Sequence, residues 1–314
     1  MSKLKYNKNI IYNEFKPDFL ILIKEYPELK KYIINKDDKE GKIENVENNI
    51  SFDWSNNDLS LLMTKCILNY YFKIKYYEIP KGYLIPPIPS RLNYINLIKN
   101  LIIEIKEDNI IGVDIGTGAN IIYPIIGYSL YNWKFICSEI NQEAFDNAKI
   151  ILQKNNLEKN INLIKQKNKD NIFLGILNRE NKYTFSMCNP PYYDYEEEIK
   201  IEDKKRDTEF NFDEVYYKKG ELGFFQKYFD ESICYKKNIF LFTILIGKKS
   251  NSEIIYDKIN ANNIIKFCDL KKIQTGNNMR YIIYWSFYCN YNEFIKEKLY
   301  SNDYNKFRSI LKQY

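Results

Sequence analysis

IIGVDIGTGAN, from Ile110 to Asn120, is the stretch that decides how this chain folds. Its first half is a short apolar run rich in β-branched residues, which suits a buried strand. The run ends in DIGTG, Asp114 to Gly118. Two glycines there allow a tight bend and a close backbone approach to a ligand, and the helix that follows begins with exposed N–H donors. That helix is predicted over ANIIYPIIGYSLY, with Pro124 inside its first two turns. The same rhythm repeats downstream. WKFICSE reads as a second strand and NQEAFDNAKIILQKNN as a helix with Asn141 as its N-cap. INLIK, YTFSMC and NIFLFTILIG read as further strands, and IIKFCDL with MRYIIYWSFYC as a closing antiparallel pair. Strands alternating with helices predict an α/β fold, a mostly parallel twisted sheet with helices on both faces and a final antiparallel strand. Upstream, PDFLILIKEYPELKKYI and DLSLLMTKCILNYYFKI are helical and amphipathic, separated by a break from Ser51 to Asp58. The organisation expected is a mainly helical N-terminal extension over residues 1–100 and a main domain over 101–314.

Composition excludes whole classes of chemistry. The 314 residues contain no histidine, which removes Ser-His-Asp catalysis and His-ligated zinc. Six cysteines, with no CxxC pair, lie mostly in apolar runs and read as reduced thiols of an intracellular protein. MSKLKYNKNIIYNEF lacks the apolar core of a signal peptide, no window approaches a membrane span, and no metal site is expected. Lys+Arg 47 against Asp+Glu 41 gives a charge of +6, which fits a partner carrying phosphates without demanding one. The excess of Lys, Asn, Ile and Tyr also fits adenine- and thymine-rich codons.

Sheets of this kind bind ligands beyond the carboxyl ends of their strands. DxGxG differs from the GxGxxG that seats a pyrophosphate. It suits a ligand with a carboxylate and a ribose but no phosphate, which points to S-adenosylmethionine. Asp114, Gly116 and Gly118 would border that ligand. Glu139 ends the second strand, 25 residues after Asp114, where an acid can accept two hydrogen bonds from ribose hydroxyls. Lys169 and Asp170 follow the third strand, and Asp170 is a candidate partner for the adenine amine. CNPPYYD, Cys188 to Asp194, follows the fourth strand. Two prolines cannot continue a ladder or enter a helix, so Asn189, Pro190, Pro191 and Tyr192 form a stiff spur. The Asn189 side-chain carbonyl and the Pro190 backbone carbonyl match the two hydrogens of an amine, and Tyr192 offers a flat face to a planar group.

DIGTG, Glu139 and NPPY together resemble the methyltransferases of planar nitrogen, which act on adenine N6, cytosine N4 or glutamine N5. Four further segments, LIPPIPSRLNYI, GVDIGTGANIIYPIIG, ILIGKKS and MRYIIYWSFY, are similar to the methyltransferase-like protein 16 family and its bacterial relatives that modify large-subunit ribosomal RNA. PDFLILIKEYPELKKYI and GELGFF fit as well, so the likeness covers nearly the whole chain. The resemblance implies a Rossmann-like class I methyltransferase that makes N6-methyladenosine in structured RNA, with U6 small nuclear RNA or a related hairpin as substrate and an intracellular location, nuclear or alternatively cytoplasmic. It implies that Arg91, Gly116, Glu139 and Asn189 contact S-adenosylmethionine and that the region of Lys169 and Asp170 helps close over it. It further implies that residues 189–192 hold a flipped adenine beside Tyr193, with Lys248, Lys249 and Arg280 near the RNA path.

The segment from Asp194 to Lys219 departs from the family, starting acidic before Lys204, Lys205 and Arg206, which are expected to meet RNA. The chain stops about 25 residues after WSFY, so lower RNA affinity, or a partner protein in place of the C-terminal RNA-binding domain of the animal enzymes, is expected. Two other readings stay open: a protein glutamine-N5 methyltransferase, which NPPY suits equally, and a non-enzymatic RNA-binding module.

Overall fold

Short apolar runs become strands where both faces can be covered, and the burial pattern of each run fixes its place in the sheet. The computed structural model describes residues 10–11, 15–34, 50–105, 109–194, 216–275 and 278–299. In chain order the elements are β1 (Ile10–Ile11), α1 (Phe19–Glu25), a short 3-10 turn (Pro27–Tyr32), β2 (Ile33–Ile34), β3 (Ser51–Phe52), α2 (Asn57–Phe72) and α3 (Ile88–Leu101). There follow β4 (Ile111–Ile115), α4 (Ile122–Tyr131), β5 (Lys134–Glu139), α5 (Gln142–Lys154), β6 (Ile161–Lys165), β7 (Tyr183–Cys188), β8 (Tyr193–Asp194) and β9 (Tyr216–Tyr217). The chain continues with α6 (Gly220–Cys234), β10 (Ile239–Ile246), α7 (Lys249–Asn260), β11 (Phe267–Thr275), β12 (Asn278–Ser286) and α8 (Tyr291–Lys296).

Eight strands form one sheet in the order β1-β11-β12-β10-β7-β4-β5-β6. The five strands from β10 to β6 run parallel, and β12 lies antiparallel to both β10 and β11. All six residues of YTFSMC in β7 are buried, as a central strand covered on both faces requires. In β6, at the margin, only Ile161 is buried. The last two strands pair as the sequence predicts, with β12 inserted between β10 and β11, and β1 adds a parallel edge strand that sequence reading did not mark.

Helix boundaries follow local chemistry. The Asn141 side chain accepts from Ala144 N at the start of α5, and that helix buries Ala144, Ala148, Ile151 and Leu152 along one stripe. Pro124 sits in the first turn of α4, where its missing N–H costs nothing. The amphipathic run PDFLILIKEYPELKKYI divides at Tyr26, because Pro27 cannot continue α1 and instead starts the 3-10 turn.

Successive residues of each central strand enter opposite layers. Phe185, Met187, Leu241, Leu245, Ile282 and Tyr284 pack with Leu22, Leu59, Leu68, Ile95 and Ile126 on one face. Val113, Ile115, Phe242, Ile244, Ile283 and Trp285 pack with Phe225, Tyr228, Ile255 and Phe294 on the other. The N-terminal helices therefore build one of the two covering layers, and α3 runs without a break to Leu101. Trp285 of WSFY is fully buried, stacked on Phe242 at 5.6 Å and 12°, with Nε1 donating to Ser232 Oγ at 3.3 Å. Truncating such a side chain costs ~3–5 kcal/mol, so this motif secures the fold.

Candidate functional site

Register brings the predicted motifs to one rim. Ile115, the last residue of β4, pairs with Cys188 of β7 on one side and Ser138 of β5 on the other. Gly116, Asn189 and Glu139 therefore leave three adjacent strands at the same end of the sheet. Gly116 and Gly118 adopt φ of 66° and 67°, which L side chains rarely adopt. A Cβ on Gly116 would meet nothing within 4 Å, so the bend faces open room.

Glu139 is buried and already engaged. Its Oε2 accepts from Gly118 N at 2.8 Å, and its Oε1 accepts from Ile140 N at 2.7 Å and Asn141 N at 2.8 Å. Burial raises its pKa, opposed by these three N–H groups and by Lys165. A carboxylate offers about four lone-pair positions, so Oε2 keeps capacity for one hydroxyl rather than the pair expected from sequence. Asp114 is 1% exposed and accepts from Thr117 Oγ1 at 2.7 Å. Burial pushes it up to about 7, the Thr117 hydroxyl pulls it down, and Glu139 adds to the rise. Arg91 of α3 donates through Nη1 to Tyr123 Oη at 3.2 Å, with its guanidinium 5.6 Å from that ring. It makes no ion pair among the described residues.

Room before Gly116, a remaining acceptor on Glu139 and a guanidinium with no carboxylate partner among the described residues form a coherent set. They fit a ligand that carries ribose hydroxyls and a carboxylate, as S-adenosylmethionine does.

Tyr192 forms the other wall. Its hydroxyl donates to Asn189 Oδ1, and burial raises its pKa. The ring lies against Gly247, where an added Cβ would come within 2.8 Å of Cδ1 and 3.0 Å of Cε1. The guanidinium of Arg280 sits 5.4 Å from the ring centre and donates to Gly247 O at 3.4 Å. Pro190 is buried, and Pro191 is half-buried.

Other predicted residues sit further out. Lys169 and Asp170 are exposed beyond β6. Lys227 of α6 ties them down, 3.3 Å from Asp170 Oδ1 and 3.4 Å from Lys169 O. Lys165 of β6 pairs with Glu139 in register, and the next residue, Gln166, donates its N–H to Glu139 O at 2.9 Å. Its side chain accepts from Asn168 N and donates to Leu174 O, both at 3.1 Å. Lys248 and Lys249 are exposed at the start of α7, with Lys249 3.5 Å from Glu253. Tyr193 begins β8 and pairs with Tyr216. Lys204, Lys205 and Arg206 lie outside the described residues. Sequence reasoning missed Gln166, Tyr123 and Glu221; the last lies in GELGFF, where an acid in the first turn of a helix reads as an ordinary solvated residue.

The sheet order, the reversed strand β12 and the glycine bend beside an acidic strand end define a class I, S-adenosylmethionine-dependent methyltransferase fold. The chain belongs to the RNA methyltransferase family, whose sequence profile matches residues 7–289. It is 36% identical over 297 residues to the ribosomal RNA large subunit methyltransferase F of Flavobacterium johnsoniae, covering 87% of this chain and 90% of that one. The Klebsiella pneumoniae protein of the same name is 32% identical over 254 residues, covering 76% and 83%. Among solved structures, the human METTL16 catalytic domain in complex with a MAT2A 3'UTR hairpin superposes with a TM-score of 0.74 at 27% identity, covering 87% of this chain and 94% of that one. The N-terminal domain of human METTL16 in complex with S-adenosylhomocysteine gives 0.70 at 28%, covering 88% and 97%. Among the described residues, no helix is long and apolar enough to cross a membrane.

Proposed function

We propose that this protein methylates N6 of an unstacked adenosine in large-subunit ribosomal RNA, with S-adenosylmethionine as the methyl donor. One observation carries the reading: Asn189, directly after β7, leaves the sheet beside the glycine bend of β4, its Oδ1 accepts from the Tyr192 hydroxyl, and two prolines follow it in the chain. The named bacterial relatives support ribosomal RNA as the substrate, in place of the U6-type hairpin and nuclear location that the eukaryotic branch suggested.

In this reading Arg91 holds the cofactor carboxylate, Oε2 of Glu139 accepts a ribose hydroxyl, and Gly116 admits the ligand to the backbone. Bound there, the cofactor supplies an electrophilic methyl group. Asn189 Oδ1 and the Pro190 carbonyl accept the two hydrogens of the adenine amine. That orientation turns the nitrogen lone pair out of conjugation and toward the cofactor side. Tyr192 gives up its bond to Asn189 Oδ1 as the amine arrives, and its ring carries the base. No strong base is required before the new C–N bond forms, because positioning and preset dipoles lower the barrier; the methylated nitrogen then sheds one of its two hydrogens as a proton, past the Asn189 and Pro190 acceptors to water. The adenosine must first leave its stack, at a cost of a few kcal/mol, so loops and bulges are favoured over duplex. Lys248 and Lys249 stand at a helix N-terminus, where cations are disfavoured by the dipole, and an RNA phosphate would offset that.

The test is transfer of labelled methyl to three acceptors: protein-free large-subunit ribosomal RNA, a U6-type hairpin and a Gly-Gly-Gln peptide. Nuclease digestion should place the label in N6-methyladenosine from ribosomal RNA. Label in the peptide would establish glutamine-N5 chemistry instead, and cofactor binding without transfer to any RNA would refute the proposal.

A further inference from the structure

Glu221 is 1% exposed and stands in the first turn of α6, yet its carboxylate does not serve its own helix. It crosses to the turn between β10 and α7. Oε1 accepts from Gly247 N, while Oε2 accepts from Lys248 N at 3.4 Å and Asn251 Nδ2 at 2.8 Å. Burying a carboxylate is costly unless such donors replace its water. Glu221 thus supplies, from another helix, acceptors for the two backbone N–H groups that lead into α7 and for the Asn251 side chain in its first turn.

The same turn carries the nucleobase wall. The Tyr192 ring lies so close to Gly247 that a Cβ there would approach Cδ1 to 2.8 Å. Arg280 donates to Gly247 O and sits 5.4 Å from the Tyr192 ring centre. Two contacts of the ring thus refer to the backbone of one residue, and Glu221 sets the position of that residue.

We propose that Glu221 is a positioning residue for the adenine platform. By holding the N–H groups of Gly247 and Lys248, it fixes the surface on which Tyr192 rests, and through Tyr192 it fixes the face offered to the base. This rests on the adenine-clamp reading above. The Glu221→Gln variant retains the shape but replaces one acceptor oxygen by an NH2 facing other donors. The turn then shifts, and a displacement approaching 1 Å costs up to about 100-fold where geometry governs rate.

The experiment is a double-mutant cycle with Tyr192→Ala, read both as kcat/KM on RNA and as the Kd of a hairpin carrying 2-aminopurine at the target base. Glu221→Gln should lower kcat/KM about tenfold in the parent background and less than about twofold once Tyr192 is alanine, with S-adenosylhomocysteine affinity unchanged. Gly247→Ala retains the Glu221 carboxylate, but its added Cβ would press on the Tyr192 ring at 2.8 Å and on Glu221 Oε1 at 3.1 Å, so it should reproduce the Glu221→Gln pattern even where that variant folds poorly. A Glu221→Gln loss of the same size in both backgrounds, or a Gly247→Ala variant with parental kinetics and Kd, would overturn the role of Glu221 alone. Absence of transfer by the unsubstituted protein would instead remove the adenine reading, while the 2-aminopurine cycle still scores the platform.

Discussion

Replacing Asp114 by asparagine removes a carboxyl group that the fold holds at 1% exposure, between the Thr117 hydroxyl and the field of Glu139. Its carboxyl is pushed from an ordinary 3.8 up to about 7, chiefly by burial. The native protein thus binds this proton more tightly than the unfolded chain does. That contribution is fully present below about pH 4, is lost as pH rises toward about 7, and is absent above. Roughly three pH units at about 1.4 kcal/mol each make the ionised, buried carboxylate a burden on the order of 4 kcal/mol at pH 8. Asparagine does not titrate and still accepts from the Thr117 hydroxyl. Between pH 5 and pH 8 the Asp114→Asn variant should therefore gain stability relative to the parent by on the order of 2–3 kcal/mol. The cofactor offers the compensation: S-adenosylmethionine is cationic at its sulfonium and ammonium, so its affinity for the parent should rise through about pH 7. The variant should bind more weakly and without that rise. Denaturant titrations at pH 5 and 8, with isothermal cofactor titrations across the same range, supply both readouts. A variant whose stability relative to the parent is independent of pH, or a parent whose cofactor affinity is flat from pH 6 to 8, would show that Asp114 does not titrate in this range.

Other residues of the rim separate the two ligands. Tyr192→Phe keeps the ring and frees Asn189 Oδ1 from the hydroxyl; at ~1 kcal/mol for one hydrogen bond, the KM for RNA should fall about three- to fivefold. An unchanged or higher KM would show that the hydroxyl does not compete with the amine. Glu139→Ala leaves three backbone N–H groups without their acceptor and should raise the cofactor Kd more than about tenfold, with RNA affinity within about twofold. Equal loss of both ligands would contradict the division of roles. Replacing Lys248 and Lys249 together by glutamine should reduce the slope of log K against log salt by about 1.5–2 if both meet phosphate, and a parental slope would exclude them from the RNA path.

Local signals in the sequence carried far in this chain, and distant ones did not. Strands such as YTFSMC and the Asn141 cap are written in neighbouring residues, so both stand where periodicity and capping chemistry put them. NPPY reaches the glycine bend because parallel strands end together, a rule of topology rather than of the motif. The acid after β6 illustrates the limit. Asp170 meets Lys227, 57 residues away, the Gln166 backbone meets Glu139 O, and no local pattern encodes which loop residue a packed helix will contact. Glu221 was hidden for the same reason, since its partners at Gly247 and Lys248 lie on another element. The division at Tyr26 was legible in Pro27, which a reading by amphipathic period alone passes over.

In the proposed reaction Asn189 holds the acceptor amine without contributing the main grip on the cofactor. Methyl transfer to large-subunit ribosomal RNA and S-adenosylhomocysteine affinity, measured on one preparation of the parent and of Asn189→Ala, test it directly. Asn189→Ala should keep the cofactor Kd within about threefold and lose at least about 100-fold in transfer, the scale on which a preorganised polar contact acts on kcat. Transfer by Asn189→Ala within about threefold of the parent, with label still in N6-methyladenosine, would contradict it.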